Sequence, residues 1–130
     1  NRSPLIRIPV TRGAGTRVEL RCPDPAANPY LVLAVCLEAG LDGIRNQITP
    51  PDAVTENVFE MQLQQRAKLG IESLPGDLEQ AVEELEKDDY IKNVLGGHIT
   101  EKYLEAKRAE WADYRAQVTG WEIDNYLYKI

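Results

Sequence analysis

The sequence predicts an α+β fold, with a short N-terminal antiparallel β-hairpin followed by a mainly α-helical C-terminal body. Three observations predict it. Strand-like alternation is confined to residues 5–21, helical periodicity dominates from residue 77 onward, and breaks rich in proline and glycine separate the periodic stretches.

The elements follow in order. Leu5 to Val10 is rich in β-branched residues and closes on Pro9, which predicts a short strand with Ile6 and Ile8 on one face and Leu5 and Arg7 on the other. Gly13 and Gly15 predict a turn or mobile loop over Thr11 to Gly15. Thr16 to Arg21 alternates cleanly, with Val18 and Leu20 opposite Arg17, Glu19 and Arg21, and pairs with the first strand as a hairpin. Pro23 and Pro25 stop it, because proline cannot donate to a ladder. Asn28 is placed to cap a helix and Pro29 suits its first position. That helix, from Pro29 to about Ala39, is apolar on every side and is expected to be buried, with Gly40 ending it. Pro50 and Pro51 exclude regular structure between Arg45 and Thr55.

The helical body follows. From Asp77 to Lys87, Leu78, Ala81, Val82 and Leu85 make one apolar stripe against the acidic Glu79, Glu83, Glu84 and Glu86. A short helix is expected over Asp89 to Leu95, ending at Gly96 and Gly97. Thr100 is expected to cap the longest helix, which runs to about Val118 with Ile99 and Leu104 as its staple. Trp121 to Ile130 is a separate amphipathic tail whose apolar residues are Trp121, Ile123, Tyr126, Leu127 and Ile130.

Composition bounds the class. One hundred and thirty residues fit one domain or a piece of one, and 43% apolar with 28% charged residues is ordinary for a globular chain. No apolar run approaches the ~20 residues needed to span a bilayer, and with no charged-then-apolar stretch ahead of the first strand a secretory signal is not expected. Two cysteines without framework spacing favour a reducing, cytoplasmic setting, and lacking a nearby base they read as buried apolar thiols. The chain begins at Asn1 directly in strand-like sequence, which predicts a piece of a longer protein. The net charge of −6 is unevenly held. Residues 1–21 carry five arginines against Glu19, a balance of +4, and the remainder carries ten bases against twenty acids, a balance of −10.

The arginine head is therefore the candidate site. If the strands pair, several guanidinium groups converge with one carboxylate on one face. Guanidinium presents a planar fork of donors that matches phosphate or carboxylate oxygens. Glu19 can serve Mg²⁺ as a hard oxygen ligand, and arginine with Mg²⁺ is the combination that neutralises charge in phosphoryl transfer. The competing reading is a carboxylate that only balances its arginine neighbours on a solvated face. His98, the single histidine, reads as a surface loop residue and not as a base. A different class, a non-catalytic helical interaction module with an arginine-rich polyanion-binding head, is disfavoured because few aromatics interleave with the arginines.

Three segments carry a resemblance. Asn-Arg-Ser-Pro-Leu-Ile-Arg-Ile-Pro at 1–9, Thr-Arg-Val-Glu-Leu-Arg-Cys-Pro-Asp-Pro-Ala-Ala-Asn-Pro-Tyr-Leu at 16–31 and Gly-Leu-Asp-Gly-Ile at 40–44 resemble glutamine synthetase of the bacterial type I class. The similarity continues through Glu56 to Met61, Gly70 to Pro75 and the final helices. The whole chain then resembles the C-terminal portion of the family's catalytic domain. The division implied is 1–21 as active-site strands of a larger catalytic sheet, 28–44 as a buried helix, 56–118 as a helical body and 119–130 as a C-terminal strap.

The resemblance implies glutamate–ammonia ligation: L-glutamate, ammonia and ATP give glutamine through γ-glutamyl phosphate, with Mg²⁺ or Mn²⁺ as metal. Arg2 would contact nucleotide phosphate and the phosphorylated glutamate, Arg7 would stabilise the transferred phosphoryl group, Glu19 would ligate a divalent cation and Arg21 would hold glutamate. Arg2 and Arg7 are thus the implied catalytic and ATP-binding residues, and Arg2 and Arg21 the implied glutamate-binding ones. The loop at Thr11 to Gly15 lacks a lysine that some members use for ATP. Phe59 stands where some members carry an adenylylated tyrosine, so that modification is expected to be absent there. The implied assembly is a cytoplasmic homododecamer of two hexameric rings, with the tail inserted into the opposite ring and neither nucleic acid nor membrane as partner. The 130-residue chain by itself is expected to be inactive.

Overall fold

The structure is a computed structural model and describes residues 5–127 and 129. It divides into two compact units, one through Leu74 and one from Pro75 onward.

The first unit holds the hairpin and a long helix. Strands β1 (Ile6–Arg7) and β2 (Glu19–Leu20) pair antiparallel, with Ile6 opposite Leu20 and Arg7 opposite Glu19. The ladder continues through the Arg21 N–H, which donates to the Leu5 carbonyl at 3.0 Å. The strands are shorter than the alternating sequence on either side, and Gly13–Gly15 forms one 3₁₀ turn between them, with Gly13 at φ 72°. A left-handed φ at Gly13 carries no Cβ penalty, which lets the connection reverse.

Helix α1 (Pro29–Arg45) starts as its cap dictates: Asn28 Oδ1 accepts from Tyr30 N at 3.0 Å and Leu31 N at 3.4 Å. Its end corrects the sequence expectation. Gly40 does not stop it; the helix runs five residues further and closes on Asn46, with Gln47 at φ 52°. The Ile48 N–H bonds the Gly43 carbonyl at 2.9 Å and the Gln47 N–H bonds the Ile44 carbonyl at 3.3 Å, a Schellman closure. A glycine in a helix interior costs only about 1 kcal/mol, which the backbone bonding of the roughly one and a half further turns offsets. The expected burial is corrected as well. No residue of α1 is buried, and Tyr30, Leu33, Leu37 and Ile44 are exposed along one face. An all-round apolar helix needs cover on every side, and no other described helix or strand packs on it. The two thiols differ from expectation for the same reason. Cys22 is exposed just beyond β2, and Cys36 on α1 is half-buried; both are free. A short helix, α2 (Leu63–Lys68), follows the irregular segment, beside the buried Met61.

The second unit is a packed helical cluster. Helices α3 (Leu78–Lys87), α4 (Asp89–Leu95) and α5 (Gly97–Arg115) contact one another pairwise. Asp77 caps α3 by accepting from Gln80 N at 2.8 Å, and Asp88 caps α4 by accepting from Ile91 N at 3.0 Å. From the apolar stripe Val82 is buried at 6% exposure with Leu78 and Leu85 half-buried, whereas Ala81 faces out. Thr100 is not the cap of α5. It lies inside the first turn, is buried, and its hydroxyl donates to the Lys92 carbonyl at 3.2 Å, serving the end of α4 instead. The helix begins earlier because Gly96, at φ 79° and ψ 152°, ends α4 and starts α5 within one residue. That conformation is essentially reserved for glycine, so Gly96→Ala is expected to destabilise this unit by about 1–3 kcal/mol although the added Cβ meets nothing within 4 Å. An unchanged melting temperature would contradict the backbone argument.

The helix α5 ends at Arg115 and not near Val118, and a new turn, α6 (Gly120–Glu122), opens on a capping box between Thr119 and Glu122 before a π-helical turn at Ile123–Leu127. Trp121 and Tyr126 meet edge to face at 5.6 Å, and both are exposed. Of the tail residues singled out in the sequence, Ile130 lies outside the described residues. Among the described residues no helix is long and apolar enough to cross a membrane.

Candidate active site

The pleat decides which side chains meet. Arg17 and Arg21 flank β2, each two residues from Glu19, the spacing that puts side chains on one side of extended backbone, and the register places Arg7 directly opposite Glu19. The sequence-predicted convergence is thereby formed for three of the arginines. Arg7 Nη1 donates to Glu19 Oε2 at 3.0 Å. Arg17 Nε donates to Oε1 at 2.9 Å, with its Nη2 at 2.7 Å from the same oxygen. Arg21 Nη2 lies 3.8 Å from Oε2. Arg12 is drawn away, donating to the Pro9 carbonyl at 2.6 Å and the Thr11 carbonyl at 3.2 Å. Arg2 lies outside the described residues.

Three cations around one anion leave this face with a local charge of +2. The cluster is accessible: the Glu19 side chain is 25% exposed and those of Arg7 and Arg17 about half. The guanidinium of Arg7 chiefly holds the Glu19 carboxyl below the usual glutamate range, against an opposing desolvation that ranks next, with the Arg17 guanidinium adding to the lowering. A carboxyl with a lowered folded pKa supports the hairpin at pH above the unfolded value near 4.3, and that support disappears as pH falls through the lower folded value. The expected side-chain carboxyl titration of Glu19, followed by NMR, has its midpoint below the ordinary glutamate value; a midpoint at or above it would contradict the paired geometry.

The same carboxylate is the donor available to a metal. An ionised, accessible oxygen ligand fits Mg²⁺ or Mn²⁺, which bind through one or two carboxylates completed by water and substrate phosphate. Among the described residues no group of three or more His, Cys, Asp or Glu gathers as a metal centre. His98, itself exposed in the first turn of α5, belongs to the other unit. Arg17 was given no role by the sequence, although the i, i+2 alternation that places it beside Glu19 was already visible there.

The chain is an α+β protein, and guanidinium forks around one carboxylate on an accessible face have the donor geometry that matches anionic oxygens. The chain belongs to the glutamine synthetase family: the family's sequence model, "Glutamine synthetase, catalytic domain", matches residues 1–126. It is 54% identical over 129 residues to the glutamine synthetase of Clostridium saccharobutylicum, covering 99% of this chain and 29% of that protein. It is 55% identical over 128 residues to that of Thermotoga maritima, covering 98% of this chain and 29% of that one. The chain thus spans under a third of the length of these relatives. A solved structure described as a GmaS/ADP complex superposes with a TM-score of 0.75 at 41% identity, over 86% of this chain and 25% of that one.

Proposed function

We propose that the protein carrying this chain is a glutamate–ammonia ligase, and that residues 1–21 supply part of its ATP and glutamyl-phosphate site. The observation that carries the reading is the convergence of Arg7, Arg17 and Arg21 on Glu19 in a chain about half identical to glutamine synthetases.

The chemistry asks for what this face provides. A glutamate carboxylate oxygen attacks the γ-phosphorus of ATP, a new P–O bond forms, and ADP leaves. Ammonia then attacks the acyl carbon and phosphate departs with the oxygen that glutamate contributed. Both steps gather negative charge on phosphoryl oxygens, and fixed guanidinium forks stabilise that charge without reorganising. Arg7 is assigned to the transferred phosphoryl group, Arg21 to the glutamate substrate, and Arg2 to nucleotide phosphate and the phosphorylated intermediate. Glu19 would hold one divalent cation, Mg²⁺ or Mn²⁺, which supplies charge neutralisation to the phosphates when bound. ADP in the structural neighbour supports the nucleotide assignment.

The exposed apolar face of α1 and the exposed aromatic tail support a homo-oligomeric parent, for which the family resemblance gives two stacked hexameric rings in the cytoplasm. Phe59 is 74% exposed but has no hydroxyl, so no adenylyl group is taken up there. The test compares two proteins. The full-length protein is expected to form glutamine from glutamate, ammonia and ATP, and the isolated 130 residues are not, because one carboxylate does not hold a multi-metal site. Glutamine formation by the isolated chain above a Glu19→Gln control would contradict the division of labour. No ATP-dependent glutamine from the full-length protein would contradict the function.

A further inference from the structure

The two oxygens of Glu19 are not treated alike. Oε1 receives two nitrogens of a single guanidinium, Arg17 Nε at 2.9 Å and Nη2 at 2.7 Å. Oε2 receives Arg7 Nη1 at 3.0 Å, while Arg21 Nη2 at 3.8 Å is beyond hydrogen-bond reach of it. Arg17 is itself tied down, because its third nitrogen, Nη1, donates to the Gly15 carbonyl at 3.2 Å. A planar group held at three points cannot rotate without breaking a bond. Arg17 also lies only two residues before Glu19, just ahead of β2, so the backbone keeps the pair in reach.

We propose that Arg17 is a positioning residue for Glu19, fixing Oε1 so that the carboxylate is held in one orientation, with Oε2 on the side of Arg7. This rests on the reading of Glu19 as a metal ligand. A carboxylate already locked by an outer partner loses less side-chain freedom on coordinating a cation, and such outer partners typically set metal affinity by 10–100-fold.

The idea makes a prediction of unusual sign. Charge alone says that removing a cation from beside a ligand should tighten the binding of another cation, since both repel. Positioning says the reverse. Mn²⁺ binding to the full-length protein, without nucleotide or glutamate, separates the two when free Mn²⁺ is read by its electron paramagnetic resonance signal. Arg17→Met is expected to weaken one class of Mn²⁺ site by about tenfold, with the same melting temperature as the parent. Arg17→Lys keeps the charge, but a single ammonium does not reproduce the double hold on Oε1 together with the Gly15 tether, so its Mn²⁺ affinity is also expected to fall, by less.

Glu19→Gln is the reference. Unchanged Mn²⁺ binding in Glu19→Gln would overturn the metal reading on which the proposal rests. Weakened binding in Glu19→Gln with unchanged or tighter binding in both Arg17 variants would overturn the positioning role alone. Weakening in all three, with the KM for glutamate unmoved in the Arg17 variants, is the result the geometry predicts.

Discussion

Glu19→Gln in the full-length protein is expected to lower turnover by roughly 10²–10³-fold, the size typical of removing one electrostatic element from a transition state. The substitution keeps shape and removes charge. Two consequences follow from the geometry. The neutral amide is a poor ligand for a hard divalent cation, so the apparent metal requirement rises. It also leaves Arg7, Arg17 and Arg21 around a group that no longer offsets them, which opens the face by like-charge repulsion. Raising Mg²⁺ should therefore recover only part of the rate. Wild-type kinetics at limiting Mg²⁺ would sink the metal assignment.

Arg7→Lys should lower kcat by roughly 10²-fold and Arg7→Ala by up to 10³-fold, with the KM for glutamate moving much less. Arg7 stands opposite Glu19 in the ladder, and one of its forked nitrogens bonds that carboxylate. The remaining donors of a guanidinium stay available to a phosphoryl group, whereas a lysine ammonium is a point charge that does not bridge both. The lysine variant thus separates charge from geometry. A kcat within twofold of the parent for Arg7→Ala would remove Arg7 from the phosphoryl site.

The parts of the fold that were legible in the sequence are those where a local rule acts alone. Period-2 alternation placed Arg17, Glu19 and Arg21 on one face, and the hairpin register then delivered Arg7 to them. Asn28 and Pro29 announced α1, and the glycine pair at 96–97 marked the end of α4. The failures have physical reasons too. The end of α1 is set by Gln47 in a left-handed conformation, a position where the sequence offers no glycine to read. Thr100 has the chemistry of a helix cap, but the positive φ of Gly96 starts α5 earlier and turns the threonine hydroxyl to the Lys92 carbonyl. Burial of α1 was inferred from its composition, which reports what the helix needs and not which surface supplies it. Within the site, the sequence distinguished Arg7 and Arg21 by resemblance and passed over Arg17, whose significance is a matter of which oxygen it holds.

The central claim is that these arginines serve a reaction that passes through an acyl phosphate. The most direct measurement supplies the full-length protein with ATP, ammonia and glutamate carrying ¹⁸O in its side-chain carboxylate, and follows the inorganic phosphate by mass spectrometry. The account predicts one ¹⁸O atom in each phosphate released, formed in step with glutamine and ADP. Glutamine appearing with unlabelled phosphate, or no ATP-dependent glutamine at all, would contradict it.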